Sequence, residues 1–147
     1  MAKKVKWEAA SEKIKIAVDL DDYADDIKEA LKNAIERGLE AIGMHAVDYA
    51  VKIVPVDTGR LKNSIAFATP EMQGFTHDYK DDLNNPYSYN VGKGVEDGTV
   101  YIGSSVEYAA EIELGSSRRK ETPYLSPAVT QHNAEYRDLI KDSLENA

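Results

Sequence analysis

Asp57-Thr58-Gly59 is a triplet whose residue types and spacing could do chemistry. In aspartic proteases such an aspartate shares a proton with a second one across a two-fold axis, because carboxyls about 3 Å apart cannot both ionise. A chain with one triplet would have to dimerise to use it. Val100-Tyr101-Ile102-Gly103 could then supply the apolar-apolar-glycine segment that follows in those enzymes. Three features oppose this reading. The triplet follows a helical pattern instead of lying in an apolar strand, Arg60 stands where a small residue is needed, and Pro55 just upstream suits a helix–turn–helix join. Asp57 is therefore expected to cap a short helix through Leu61 and Ser64. Pro55, Asp57, Thr58, Gly59 and Leu61 then form a structural turn. A homodimeric aspartic protease is kept as the alternative.

The remaining reactive residue types form no such constellation. His45, His77 and His132 lie far apart with no ligand spacing between any two. There is no cysteine, which removes disulfides, zinc–cysteine sites and thiol nucleophiles. Gly92-Lys93-Gly94 lacks the leading glycine and trailing hydroxyl of a phosphate loop. Glu107 and Glu111 stand four apart on one helical face while Glu113 points elsewhere, a pattern that reads as solvated surface. No catalytic residue, metal site or cofactor is expected, and the chain is not expected to be an enzyme.

The elements that position these residues follow from periodicity. Val5, Trp7 and Ala9, then Ile14, Ile16 and Val18, alternate as half-buried strands, with Ala10-Ser11-Glu12 as a turn. This arm, residues 1–18, could pair within the chain or with a neighbour. From Asp22 to Val54, Ile27, Leu31, Ala34, Ile35, Ile42, Ala46, Val47, Ala50 and Ile53 recur at helical spacing. Preceding aspartates suit that helix's start, and Pro55 ends it. Gly38 and Gly43 inside it predict a kink, a break or a close helix crossing. A strand over 65–68 follows. Residues 70–98, punctuated by Pro70, Gly74, Asn84-Asn85-Pro86 and Gly92, read as a long, mobile loop segment. Asp97-Gly98 reads as a hairpin turn into a strand over Thr99–Gly103. Val106–Leu114 reads as a short helix stopped by Gly115. Ser126 as cap and Pro127 as first residue start a last helix whose face is Val129, Tyr136, Leu139, Ile140 and Leu144. The result is one α+β domain over 1–147, with one long N-terminal helix and a C-terminal helix packed on a small, mostly antiparallel sheet.

The chain has 147 residues, enough to hide roughly 68–70% of its unfolded surface without staples. Its 18 basic and 26 acidic residues leave a net charge of −8, which disfavours non-specific duplex binding by counterion release. No apolar run approaches the roughly 20 residues of a membrane span. Lys3, Lys4 and Lys6 have no apolar stretch behind them as a signal peptide would. A soluble protein that is not exported is expected. The charges are segregated: Lys3, Lys4, Lys6, Lys13 and Lys15 near the start, acids over 19–29 and 71–97, and the triplet Arg118-Arg119-Lys120. Opposite patches of this kind can meet across a subunit contact and fix its register.

Five short segments occur in order: Pro55-Val56-Asp57-Thr58-Gly59-Arg60-Leu61; Ser64-Ile65; Val100-Tyr101-Ile102-Gly103; Tyr108-Ala109 with Glu113-Leu114-Gly115; and Pro123-Tyr124-Leu125-Ser126-Pro127-Ala128. Together, over roughly residues 40–145, they resemble the minor-tail or tail-completion family of tailed bacteriophages, found at the head–tail joint. The basic loop 116–122, the 70–98 segment and the N-terminal strands are not part of that pattern. The resemblance implies a ring-forming structural virion protein without an active site, made in the bacterial host cytoplasm and placed at the neck. Its implied partners are further copies of itself, a hexamer being one ring size, the connector or stopper, and the tail tube or tail terminator. No membrane is implied, and DNA only passes through the lumen. The 55–61 turn would set the angle between the long helix and the sheet. Tyr108, Glu113, Gly115, Arg118, Arg119, Lys120 and Pro123 become the candidate interface.

Overall fold

The computed structural model describes residues 12–15, 25–72, 74–91 and 95–146. The expected strand over Val5–Ala9, the aspartates ahead of the long helix and Gly92–Gly94 lie outside these residues. Helix α1 runs unbroken over Asp25–Ile53, about 44 Å at 1.5 Å per residue. Ala34, Ile35, Leu39, Ile42, Ala46 and Ala50 form its buried stripe, and Val54 continues it. Ile27 and Ile53, expected on that stripe, are exposed at the two ends. The glycines mark close approach, since the helix does not break at either one. A Cβ on Gly38 would lie 2.6 Å from Ile140 Cδ1, and one on Gly43 would lie 2.4 Å from the Phe67 ring.

After α1 come α2 (Arg60–Ser64), β2 (Ala66–Ala68), a 3-10 turn (Pro70–Met72), β3 (Thr76–Lys80) and β4 (Pro86–Asn90). Then follow β5 (Thr99–Gly103), α3 (Ala109–Leu114), α4 (Leu125–Thr130) and α5 (Asn133–Glu145), while β1 (Glu12–Lys15) precedes α1. In the central sheet β5 lies between β1 and β2, antiparallel to both, so the Asp97-Gly98 turn makes no hairpin of β5 with β4, which pairs with β3 instead. Of the arm, residues 12–15 pair within their own chain, from Glu12 opposite Ile102 to Lys15 opposite Thr99. Helix α1 packs on β2 and β5 and against α4 and α5. Leu39, Ile42, Val100, Ile102, Val106, Tyr124 and Leu125 fill the space between. Helix, sheet and C-terminal helices make the α+β architecture that the periodicities predict. Among the described residues no helix is long and apolar enough to cross a membrane.

Two expectations need correction. The 70–98 segment is not loop throughout, because β3 and β4 form a hairpin with Tyr79 opposite Tyr87 and His77 opposite Tyr89. Their rings stack, with centroids 5.3 Å apart for Tyr79–Tyr87 and 5.5 Å for His77–Tyr79. This aromatic face is tied to α2. The Tyr89 hydroxyl donates to the Ser64 carbonyl at 2.5 Å and His77 Nε2–H to the Asn63 carbonyl at 3.2 Å. The last helix, in turn, does not begin at a Ser126 cap. It is split into α4 and α5, and neither has a side-chain cap from its own N-terminal flank. At the break the His132 ring lies flat on Tyr49 at 3.5 Å, and the Tyr136 hydroxyl reaches back to the Ala128 carbonyl.

Candidate functional site

The turn that carries the triplet is built from backbone geometry. Pro55 cannot continue α1, and the chain then exposes Val56 and Asp57. Gly59 has φ 79° and ψ 0°, the left-handed conformation that glycine adopts at no steric cost. It starts α2, and its carbonyl accepts the Asn63 N–H at 2.9 Å. No side chain caps α2, so the expected Asp57 cap is corrected; Thr58 Oγ1 only approaches the Arg60 N–H, at 3.4 Å. The hairpin tip holds the turn instead. The Asp82 N–H donates to the Thr58 carbonyl at 2.7 Å, and a Cβ on Gly59 would sit 2.4 Å from the Asp82 carboxylate. Leu61 is buried and anchors the turn in the core.

Arg60 organises the surface beside it. Its guanidinium makes a two-pronged pair with Glu107, at 2.7 and 2.9 Å, and lies 4.6 Å from the Tyr87 ring centre and 5.9 Å from that of Tyr108. Glu107 raises the Arg60 pKa further above its ordinary value, and burial pushes the Tyr108 phenol up. The fork geometry suits arginine and would be lost with lysine. Below it, Ser64 and Ser104 share a buried hydroxyl contact of 2.5 Å, and Ser104 Oγ accepts the Val106 N–H. These contacts fix the β5–α3 junction against α2.

Much of what the sequence proposes separately is brought together here. Residues 55–61 line one wall of a groove of about 560 Å³, and Tyr108, Glu111, Ile112 and Arg119 line the other. Glu111 accepts a hydrogen bond from Ser116 Oγ at 2.9 Å. Gly115 takes φ 78° and ψ 173°, and a Cβ there would meet the Glu121 backbone nitrogen at 2.8 Å. The chain then doubles back with paired Ser116 and Arg119 backbones, leaving Arg118, Arg119, Lys120 and Pro123 exposed.

Glu113 is the exception. It is 4% exposed, and its carboxylate accepts the N–H groups of Tyr124, Leu125 and Ser126 at 2.7, 2.9 and 2.8 Å. This is a cap for α4 supplied from α3, so Glu113 is not a surface contact within the free subunit. Sequence spacing missed it, although a glutamate on the face opposite Glu107 and Glu111 was the available signal.

A second polar cluster joins α1 to α5. Glu135 accepts from the Tyr49 hydroxyl and, at 2.7 Å, from His45 Nδ1, and these bonds hold its carboxyl below the usual range. Glu135 thus bonds His45 directly and reaches the His132 ring only through Tyr49, on which that ring stacks. No group of three or more potential metal-binding side chains is present among the described residues.

The family HK97-gp10_like, described as "Bacteriophage HK97-gp10, putative tail-component", matches residues 18–115. The chain belongs to this family. The matched stretch contains α1, the turn, both sheets except β1, and α3 as far as Gly115. It leaves out the basic turn and α4, so the segment Pro123–Ala128 lies beyond it. Comparison with curated proteins gives no match. Comparison with solved structures gives none either.

Proposed function

We propose that the protein is a non-enzymatic ring component at the neck of a tailed phage or phage-derived tail particle, completing the tail or joining it to the head. The observation that carries this reading is the tail-component family match over residues 18–115. The groove adds support, because it holds the 55–61 turn, Tyr108 and Arg119 of the exposed basic turn side by side. Its partners are further copies of the same chain, the connector or stopper, and the tail tube or terminator. The net charge of −8 suits a DNA conduit, since an acidic wall offers phosphates no counterion release.

Disrupting the gene in the parent phage or prophage and imaging the lysate by electron microscopy tests the reading. DNA-filled heads and separate tails are expected. Normally joined, infectious particles would refute it. Pepstatin-sensitive peptide cleavage that disappears in Asp57→Asn would instead reinstate a protease.

A further inference from the structure

Opposite ends of the molecule expose opposite charge. At one end Arg118, Arg119 and Lys120 are exposed, and no ion pair to them exists among the described residues. Their turn is held rigid: Ser116 N–H donates to the Arg119 carbonyl at 2.8 Å, Arg118 N–H to Ser116 Oγ at 3.1 Å, and Thr122 N–H to the Ile112 carbonyl at 2.8 Å. Leu114 beside it is 62% exposed. Because Arg119 shares the groove with residues 55–61, this turn lies at the C-terminal end of α1.

The other end gathers acids. Strand β2 leaves the sheet past the Ala68–Tyr101 pair, at the Thr99 end of β5, and leads to the exposed Glu71. The Glu96–Gly98 turn enters β5 at the same end, with Asp97 exposed and Thr99 N–H bonded to the Glu96 carbonyl. Glu71 N–H approaches Glu36 Oε1 at 3.4 Å, which brings α1 there, with Glu40 one turn further on. The Glu36 carboxyl faces the fully buried Thr69 hydroxyl, an interaction that favours its charged form. Burial, then the neighbouring Glu40, push the Glu36 carboxyl up. From Glu36 to Ile53 the axis of α1 covers about 25 Å, so the two charged ends are well separated.

Resting on the ring reading, we propose that the basic turn Arg118-Arg119-Lys120 of one copy docks on the Glu71–Asp97 end of the next copy. The partner is a second copy because this chain itself carries the complementary surface, whereas docking two basic turns on each other would set like charges face to face. A contact between different surfaces is head-to-tail, and it closes into a ring when the rotation allows. Complementary charge then sets register and association rate.

The test measures self-association of the full chain by light scattering and sedimentation at low and high salt. Arg118→Glu/Arg119→Glu/Lys120→Glu and, separately, Glu71→Lys/Asp97→Lys should each weaken association at least tenfold at low salt. The two variants mixed one to one should assemble again, since each now supplies the surface the other lost. The deficit should shrink at high salt, where exposed charges are screened. Either variant assembling as the wild type does would overturn the proposal. So would failure of the mixture while both variants remain folded by circular dichroism, a result that would assign the basic turn to another neck protein. Should a reversal disturb folding, Arg118→Gln/Arg119→Gln/Lys120→Gln and Glu71→Gln/Asp97→Asn must still weaken association, or the proposal falls. A wild-type chain that stays monomeric at every concentration would refute the ring reading itself, a distinguishable outcome.

Discussion

Replacing Glu113 by alanine removes one side chain and strands three backbone donors. Its carboxylate accepts the Tyr124, Leu125 and Ser126 N–H groups at 2.7–2.9 Å. Tyr124 and Leu125 are fully buried, whereas Ser126 is only partly so. Bonds to a charged group contribute about 1.5–3 kcal/mol each, so the gross loss approaches three such bonds. Water reaching Ser126 and local relaxation of the six-residue α4 recover part of it. The expected cost of Glu113→Ala is about 3–5 kcal/mol, from amides orphaned at about 1–3 kcal/mol each less that recovery. At about 2–4 °C per kcal/mol for a chain near this size, the melting temperature should fall by roughly 10 °C. Glu113→Gln keeps one acceptor oxygen but turns an amide NH2 toward a backbone donor, and should cost about half as much. Urea denaturation gives the free-energy difference, and amide exchange at residues 124–126 locates it. A loss below about 0.5 kcal/mol, or a larger one with unchanged exchange at those amides, would refute the capping argument.

Gly59→Ala should destabilise by roughly 1–3 kcal/mol, since alanine is strained at positive φ and its Cβ meets the Asp82 carboxylate; adding Asp82→Ala should recover only the clash. Asp57→Ala, by contrast, should change stability by less than about 0.5 kcal/mol, because Asp57 is exposed and α2 has no side-chain cap; a cost near 1–2 kcal/mol would restore the cap. Gly43→Ala should lower the melting temperature more than Gly38→Ala does. At Gly43 the new Cβ meets the ring carbons and Cβ of Phe67, whereas at Gly38 the nearest atom is the movable Cδ1 of Ile140; a stabilised Gly43→Ala would contradict the packing. The side chain of Asn85, then backbone N–H groups and Tyr87, hold the Asp81 carboxyl below its usual range. The unfolded chain therefore takes up that proton first. Asp81 contributes fully above its unfolded pKa of about 3.9 and loses this contribution as pH falls through the lower folded value. Asp81→Asn should accordingly flatten the acid limb of a stability–pH curve, and an unchanged limb would remove Asp81 as a source.

Local patterns settle what local forces decide. The three- and four-residue spacing from Ala34 to Val54 and the proline behind it are enough to place α1, because one helical face must be covered and Pro55 cannot continue it. The alternation in Ile14, Ile16 and Val18 and in Thr99–Gly103 likewise indicates strands, and segments spread along the chain in a fixed order carry the family resemblance. The hairpin was legible in principle, since polar and aromatic residues alternate through Thr76–Lys80 and Pro86–Asn90. Tyrosine obscured it, being apolar in body and polar at its tip, so the period of two looked like polar loop.

Only the tertiary structure decides where two distant residues compete for the same role. In sequence Gly38 and Gly43 suit a kink, a break or a close crossing alike; the structure selects close approach, because Ile140 and Phe67 occupy the space a side chain would need and the helix continues past both. Asp57 has the residue type of a cap, yet a left-handed glycine and the Asp82 N–H hold its turn from outside. Glu113 has the spacing of a surface acid, yet it caps a helix that begins twelve residues later. The physical reason is the same throughout. Periodicity reports which face of an element avoids water, while caps, close approaches and charge partners depend on which atoms arrive from elsewhere in the fold.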